Sequence, residues 1–230
     1  MSEKDTMKRR VVVVVRHGER IDYAMRDAGQ NWVASASRPW DPPLTTNGME
    51  QAKSLGKALP QILEQHKLPP KVKSIYSSPF LRCRQTALGI AESITSDDGD
   101  SNNTKVKVEL GLAESINENW FRSWAVEGTD GTWGYLKKTM PELDPITLHP
   151  ASQMPVQPLL DWKASGDEAA ASHPCMDPAH ASKSTLDTPY QLDPPKFESF
   201  QMQRTRMKQT LTQLSGDHID ETIVMVSHGT

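Results

Sequence analysis

The chain contains 230 residues, with 26 lysines and arginines against 29 aspartates and glutamates, so its formal net charge is −3. This acidic balance argues against non-specific binding to nucleic acid or to a membrane surface, and any anionic ligand must be captured locally. The two cysteines show neither a disulfide framework nor a zinc spacing. The apolar run Val11–Val15 is too short to cross a membrane. We therefore expect one cytoplasmic domain over residues 1–230.

The first element predicted along the chain is a β-strand over Arg10–Val15. Its β-branched residues do not alternate with polar ones, which is typical of a parallel strand buried on both faces. The run ends directly at Arg16 and His17. An amphipathic helix follows, with an N-cap region at Leu44–Gly48. Its apolar residues recur at helical spacing, at Ala52, Leu55, Leu59, Ile62 and Leu63.

A second strand and helix repeat this order. Lys71–Tyr76 is predicted as a short strand, and Ser77–Pro79 is predicted to provide a hydroxyl cap and an N1 proline for a helix that ends near Ser93. In this helix we expect Cys83 to be a small buried residue and Arg84 to be solvated.

The second half of the chain is less regular. Val106–Val108 is predicted as a short strand leading to Glu114. Residues 115–195 carry most of the prolines and four of the six tryptophans, which predicts an irregular insertion. Three tryptophans are interpreted as packing residues, namely Trp32, Trp40 and Trp120.

A helix and a last buried strand close the chain. The strand is predicted over Thr222–Val226 and leads to His228. Gly216 is expected to end the helix. The apolar stripe of that helix is predicted to be Phe197, Phe200, Met207, Leu211 and Leu214.

Cationic or ionisable residues follow three of these strands. Open α/β sheets bind ligands beyond the carboxyl ends of their strands, where Arg16, Arg82 and His228 are expected to meet. Guanidinium groups chelate phosphate oxygens and spread their charge, so the cluster predicts a phosphate pocket. Arg20 is a further candidate ligand, and its alternative role is a salt bridge to Asp22 or Asp41.

Phosphoryl transfer also needs an attacking atom and a proton donor. A neutral imidazole held in one tautomer is a competent nucleophile, and His17 is placed for that role. A carboxylic acid near the phosphate would have a raised pKa and could protonate the leaving group. Glu114 is our candidate, with Glu109 as its competitor.

Five motifs then resemble one family when taken together in chain order. They are RHGER at Arg16–Arg20, DPPLTTNGMEQA at Asp41–Ala52, SSPFLRCRQTA at Ser77–Ala87, GLAE at Gly111–Glu114 and VSHGT at Val226–Thr230. These motifs look like branch 1 of the histidine phosphatase superfamily, the phosphoglycerate-mutase-like enzymes. The RHGER run is similar to that of the phosphatase domains of T-cell ubiquitin ligand proteins, whereas mutases of the family resemble RHGES.

The resemblance implies a three-layer α/β sandwich with a mostly parallel central sheet and a long irregular insertion. It implies a phosphomonoesterase with a phosphohistidine intermediate on His17, a phosphate pocket of Arg16, Arg82 and His228, and Glu114 as proton donor. No metal or organic cofactor is implied. The substrate is expected to be a phosphorylated small molecule or a phosphoprotein, and the oligomeric state stays open.

Two other readings remain open at this point. One is a phosphotransferase of the phosphoglycerate-mutase type, against which Arg20 counts, and the other is a non-catalytic interaction module that keeps the fold. Relatives usually continue past His228 through another helix and strand, so we expect the C-terminal part of the fold to be missing from this chain.

Overall fold

A computed structural model describes residues 10–36, 38–94, 104–115, 172–183, 198–216, 218 and 221–229. The elements are β1 (Val11–Arg16), α1 (Ile21–Asp27), a 3-10 turn (Val33–Ser35), α2 (Thr46–Gln65), β2 (Val72–Ser77), α3 (Leu81–Ser93), β3 (Val106–Val108), a second 3-10 turn (Leu110–Leu112), α4 (Phe200–Gly216) and β4 (Thr222–Ser227). Most of the predicted insertion, with Trp120, and also Phe197 lie outside the described residues. Among the described helices, none is long and apolar enough to span a membrane.

The four described strands form one sheet in the order β1-β4-β2-β3, and every pairing is parallel. The register aligns Arg16 with Ser227, and Ser77 with both Val226 and Val108. All carboxyl ends therefore meet at one edge of the sheet, as the α/β prediction requires.

Apolar side chains pack on both faces of this sheet. On one face, α2 and α3 contribute Leu59, Leu63 and Ile90 to a core that also holds residues of the four strands. On the other face, Leu214 of α4 packs with Tyr76, Leu112, Ile223 and Met225. Two cores separated by one sheet confirm the three-layer α/β arrangement.

The strand β1 differs from its prediction in burial. It lies one residue later than expected and is parallel, but it is an edge among the described strands. Val14 is 70% exposed, so burial on both faces was wrong for β1. All six residues of β4 are buried between β1 and β2, as predicted for the last strand.

The start of α3 also differs from its prediction. The helix begins at Leu81, and its N-cap is Phe80, which makes no side-chain capping bond. Ser77 instead ends β2. The carboxylate of Asp41 accepts a hydrogen bond of 2.7 Å from the Leu81 amide. This amide at the helix start is thus satisfied by a residue 40 positions away, where a local serine was expected to act as the cap.

The predicted stripe of α4 is only partly correct, although the helix does end at Gly216. Phe200 is 65% and Leu211 42% exposed, contrary to the prediction. Leu214 is buried as predicted, and it shares the buried face with Gln203 and Thr210. Contacts with the sheet and with the 3-10 turn Leu110–Leu112 determine which face of the helix is buried, because tertiary packing overrides an imperfect apolar pattern.

One described part of the predicted insertion lies against β3. Met176 forms a parallel bridge with Val106 and is buried in the core. The Val106 amide donates to the Cys175 carbonyl at 2.7 Å, and the Asp177 amide donates to the Val106 carbonyl at 2.9 Å. Residues 172–183 thus cover the edge of the sheet beside β3.

Candidate active site

His17 lies at the carboxyl end of β1 and is 8% exposed. Its Nδ1 donates a hydrogen bond of 2.8 Å to the Gly18 carbonyl, so the proton is on Nδ1 and Nε2 keeps its lone pair. Burial lowers the pKa of His17 to about 2, with further lowering by Arg82 and His228. The ring is therefore neutral at physiological pH and able to act as a nucleophile.

The backbone of the loop after His17 lies directly against the backbone of the first turn of α2. A Cβ built on Gly18 would lie 2.6 Å from the Gly48 carbonyl oxygen, and one on Gly48 would lie 2.4 Å from the Glu19 carbonyl oxygen. Only glycine fits at both places. The Gly18 amide also donates to Thr86 Oγ1 at 3.0 Å, and Thr45 caps α2 as predicted, accepting from the Gly48 amide at 3.0 Å.

Arg82 is fully buried at the centre of the cluster. Its Nη2 lies 3.1 Å from His228 Nδ1 and 3.4 Å from Glu114 Oε2, and its Nη1 lies 3.9 Å from Asp41 Oδ1. Within the described part of the chain, Nε and Nη1 have no hydrogen-bond partner. Buried donors without partners are costly, and this pair is suited to the oxygens of an anion.

His228 follows β4, and its ring centroid lies 5.5 Å from that of His17. Ser78 Oγ lies 2.9 Å from its Nε2. Because this hydroxyl oxygen accepts from the Phe80 amide at 3.4 Å, its own hydrogen can go to Nε2. The proton of His228 is then on Nδ1, 3.1 Å from Glu114 Oε2. Burial lowers the pKa of His228 to about 4, against the opposing effect of Glu114.

Glu114 receives donors from three directions. They are His228 at 3.1 Å, Arg82 at 3.4 Å and the Ser115 amide at 3.2 Å. Burial alone would raise the pKa of Glu114, but these donors outweigh it, and the pKa is lowered. The raised pKa expected from the sequence is therefore wrong for this arrangement, because cationic and N–H groups surround the carboxylate.

The two remaining candidate phosphate ligands have other contacts. Arg20 is buried and forms a bidentate salt bridge with Asp22, with a Nε–Oδ1 distance of 3.0 Å, and its guanidinium lies 4.1 Å from the centroid of the Tyr23 ring. This is the alternative role that the sequence left open. Arg16 is exposed and packs over Gly229, where an added Cβ would lie 2.9 Å from Arg16 Cδ.

The structure thus brings together His17, Arg82, Glu114 and His228. Among the described residues, Arg16 makes no hydrogen bond to these four, although it packs beside His228 through Gly229. Arg84 corrects a prediction, since it is fully buried and not solvated. Its Nε donates to the Pro79 carbonyl at 3.1 Å. The side chain is buried because α3 packs between the sheet and α2. Cys83 is buried, as predicted.

Sequence reasoning missed the residues that hold this cluster in place. Thr86 received no role, Asp41 was considered only as an ion-pair partner of Arg20, and Ser78 only as part of a helix cap. Asp41 is 2% exposed although it is a carboxylate. The sequence signal for its role was its place before Pro42–Pro43 in a motif that resembles the family. Trp40 is buried at 4% exposure, which agrees with a packing role, and Trp32 is half-buried.

Comparison with known proteins finds a family that resembles part of the chain. Residues 12–120, just under half of the chain, match the sequence profile of the histidine phosphatase superfamily, branch 1. The histidine phosphatase segment includes three of the four clustered residues, His17, Arg82 and Glu114, and β4 brings His228 to it from outside the matched range.

Two curated relatives show how far the likeness extends. The chain is 31% identical over 135 residues to the mouse ubiquitin-associated and SH3 domain-containing protein A, covering 47% of this chain and 20% of that protein. It is 26% identical over 183 residues to the ecdysteroid-phosphate phosphatase of Bombyx mori, covering 69% of this chain and 24% of that protein. The chain therefore spans about a fifth to a quarter of the length of these relatives.

A solved mycobacterial glucosyl-3-phosphoglycerate phosphatase is similar over 96% of this chain and 74% of its own, with 18% identity and a TM-score of 0.46.

Proposed function

We propose that this chain is a phosphomonoesterase that hydrolyses a phosphate monoester through a phosphohistidine intermediate on His17. The observation that carries the proposal is the pairing of a neutral, buried His17 with a fully buried Arg82 whose Nε and Nη1 have no hydrogen-bond partner among the described residues. The match of residues 12–120 to the histidine phosphatase superfamily supports the same chemistry.

In the first step, Nε2 of His17 attacks phosphorus. The N–P bond forms as the P–O ester bond breaks, and the leaving oxygen takes a proton from Glu114. Arg82 binds two phosphoryl oxygens through its unpartnered donors, and Arg16, Arg20 and His228 contribute further positive charge or N–H groups. A bound phosphate competes with Glu114 for Arg82 and adds negative charge beside it, which raises the pKa of Glu114 towards the range of a proton donor.

In the second step, water attacks the phosphohistidine. The N–P bond breaks, the proton of the water returns to Glu114, and inorganic phosphate leaves with the bonding oxygen of that water. The Nδ1–H to Gly18 hydrogen bond of 2.8 Å keeps His17 in the tautomer needed for the next turnover. No residue of the chain is consumed in this cycle.

The deciding experiment measures hydrolysis of an aryl phosphate by the His17→Ala variant. We expect kcat/KM to fall by at least about 10³-fold, because the nucleophile is removed. His66→Ala, which alters an exposed histidine at the end of α2, should keep wild-type turnover. Near-native turnover in His17→Ala would refute the proposal. A phosphoenzyme trapped by alkaline quench in wild type but absent from His17→Ala would support it.

Anion binding by Arg82 is tested with a matched pair of variants. Arg82→Lys and Arg84→Lys are the same change at two buried positions two residues apart. We expect inorganic vanadate to inhibit Arg82→Lys much more weakly than wild type, because an ammonium lacks the fork of donors, and to inhibit Arg84→Lys almost normally. Equal weakening in both variants would show that the anion does not bind at Arg82.

A further inference from the structure

Arg206 of α4 is hydrogen-bonded to the main chain that carries Glu114. Its Nη1 donates to the Gly111 carbonyl at 2.8 Å and to the Ala113 carbonyl at 3.1 Å. We propose that Arg206 is a positioning residue that fixes Glu114 in line for protonating the leaving group. The inference rests on the proposed function and assigns a role to α4, which the mechanism does not otherwise use.

Arg206 influences the position of Glu114 through the short turn that precedes Glu114 in the chain. The residues Leu110–Leu112 form a single 3-10 turn capped by Ala113, and the carbonyls at the end of so short a helix lack partners within it. Arg206 satisfies two of them, and Ser227 Oγ donates to a third, the Leu112 carbonyl, at 2.9 Å. Glu114 is the next residue, so its backbone is tied to both α4 and β4.

The positive charge of Arg206 is already neutralised by another residue. Its Nε and Nη2 donate to the two carboxylate oxygens of Glu198 at 2.8 and 2.7 Å, and both side chains are largely buried, at 12% and 5% exposure. Arg206 therefore acts on Glu114 through directed hydrogen bonds and not through its field. Lysine would keep the charge but could not serve Glu198 and two carbonyls in one plane.

Proton donation by Glu114 depends closely on the position of its carboxylate. Its Oε2 lies 3.1 Å from His228 Nδ1 and 3.4 Å from Arg82 Nη2, so small displacements of the turn exchange these contacts for longer ones. Misplacement of a catalytic group by about 1 Å can cost about 10²-fold in rate. A displaced Glu114 fails mainly for substrates that need their leaving group protonated.

The test is a series of aryl phosphates whose phenols differ in acidity. For Arg206→Lys we expect log(kcat/KM) to depend more steeply on the pKa of the phenol than in wild type. The loss should be at least about tenfold for the least acidic phenol and about twofold or less for the most acidic one. Adding Arg206→Lys to Glu114→Gln should cause no further steepening, because the group that Arg206 positions is already gone. An equal loss across the series would overturn the inference.

Arg204→Lys is the matched control, because Arg204 lies two residues earlier on the same helix, with its guanidinium over the exposed Phe200 ring at 5.9 Å. It should leave the slope unchanged.

A readout without turnover separates this inference from the proposed function. Carbon-13 NMR titration of the Glu114 carboxyl should give a pKa well below the usual range in wild type and a higher one in Arg206→Lys, as the carboxylate moves away from Arg82 and His228. An unchanged titration overturns the inference even if the chain is a phosphatase. A shifted titration supports it even if His17→Ala keeps its activity.

Discussion

Two glutamates border the same 3-10 turn, and their surroundings differ sharply. Glu109, which precedes the turn, is fully buried and accepts hydrogen bonds from Ser182 Oγ, from the Lys183 amide at 3.0 Å and from the Gly111 amide at 3.4 Å. Glu114, which follows the turn, faces the side chains of Arg82 and His228. One carboxylate is bound mainly by neutral donors of the fold, and the other by groups that can themselves bind a ligand.

This difference separates a structural carboxylate from a catalytic candidate better than burial does. The donors around Glu109 include the Gly111 amide of the turn itself and the Ser182 hydroxyl and Lys183 amide of the segment 172–183, and His180 Nε2 lies 3.7 Å from its Oε2. Those around Glu114 include Arg82, which retains two unpartnered donors among the described residues. A bound anion can therefore change the protonation of Glu114 but has little access to Glu109.

The largest expected effect comes from Glu114→Gln. We expect kcat/KM for an alkyl or weakly acidic aryl phosphate to fall by about 10²- to 10⁴-fold, because the leaving group loses its proton donor. The thermal midpoint should also fall, because glutamine loses the ion pair with Arg82, but the variant should stay folded at the assay temperature. Steady-state kinetics and a thermal melt check this prediction. Equal losses for good and poor leaving groups would make Glu114 a structural residue like Glu109.

The next effect comes from Glu109→Gln, measured as unfolding in urea. Replacing the buried carboxylate removes charge-assisted hydrogen bonds, so the free energy of unfolding should fall by about 1 to 3 kcal/mol. The dependence of kcat/KM on the leaving group should stay as in wild type. A steepened dependence in this variant would mean that the two glutamates share one role.

The third expected effect is on the pH profile. His17 and His228, with pKa values lowered to about 2 and about 4, are neutral above about pH 5. The protonated fraction of Glu114, whose pKa is also lowered, increases as the pH falls. We therefore expect kcat/KM to rise by up to about tenfold per pH unit as the pH falls from 8 to 6, above the phosphate ionisation near 6. In Glu114→Gln this rise should be absent, and a rise of the same size there would assign it to the substrate.

The strands and the positions of His17 and His228 were predictable because they depend on local pattern. The apolar runs of β1 and β4 placed His17 and His228 at strand ends to within a residue, and a parallel sheet then required those ends to meet. The choice between Glu109 and Glu114 was not decidable from the sequence, because both lie near the end of β3. It depends on which partners the fold brings to each carboxylate.

The residues that position the site were the least predictable. Asp41 caps a helix 40 residues away, and Arg206 reaches carbonyls more than 90 residues away. Arg84 was predicted to be solvated because arginine in a helix is usually exposed. The face of α4 was only partly correct, since contacts distant in sequence orient the helix.

The close approach of Gly18 and Gly48 has a consequence for motion. The Thr45 amide donates to the Glu19 carbonyl at 3.0 Å, and the Glu19 amide donates to Gln51 Oε1 of α2 at 2.9 Å. The loop after His17 and the N-terminal turns of α2 are therefore joined by both backbone and side-chain hydrogen bonds. We expect the hydrogen bonds between this loop and α2 to open together. In native-state hydrogen exchange, the amides of Gly18 and Thr45 should open with one shared free energy, and the fluctuations of the nucleophile should be those of the helix.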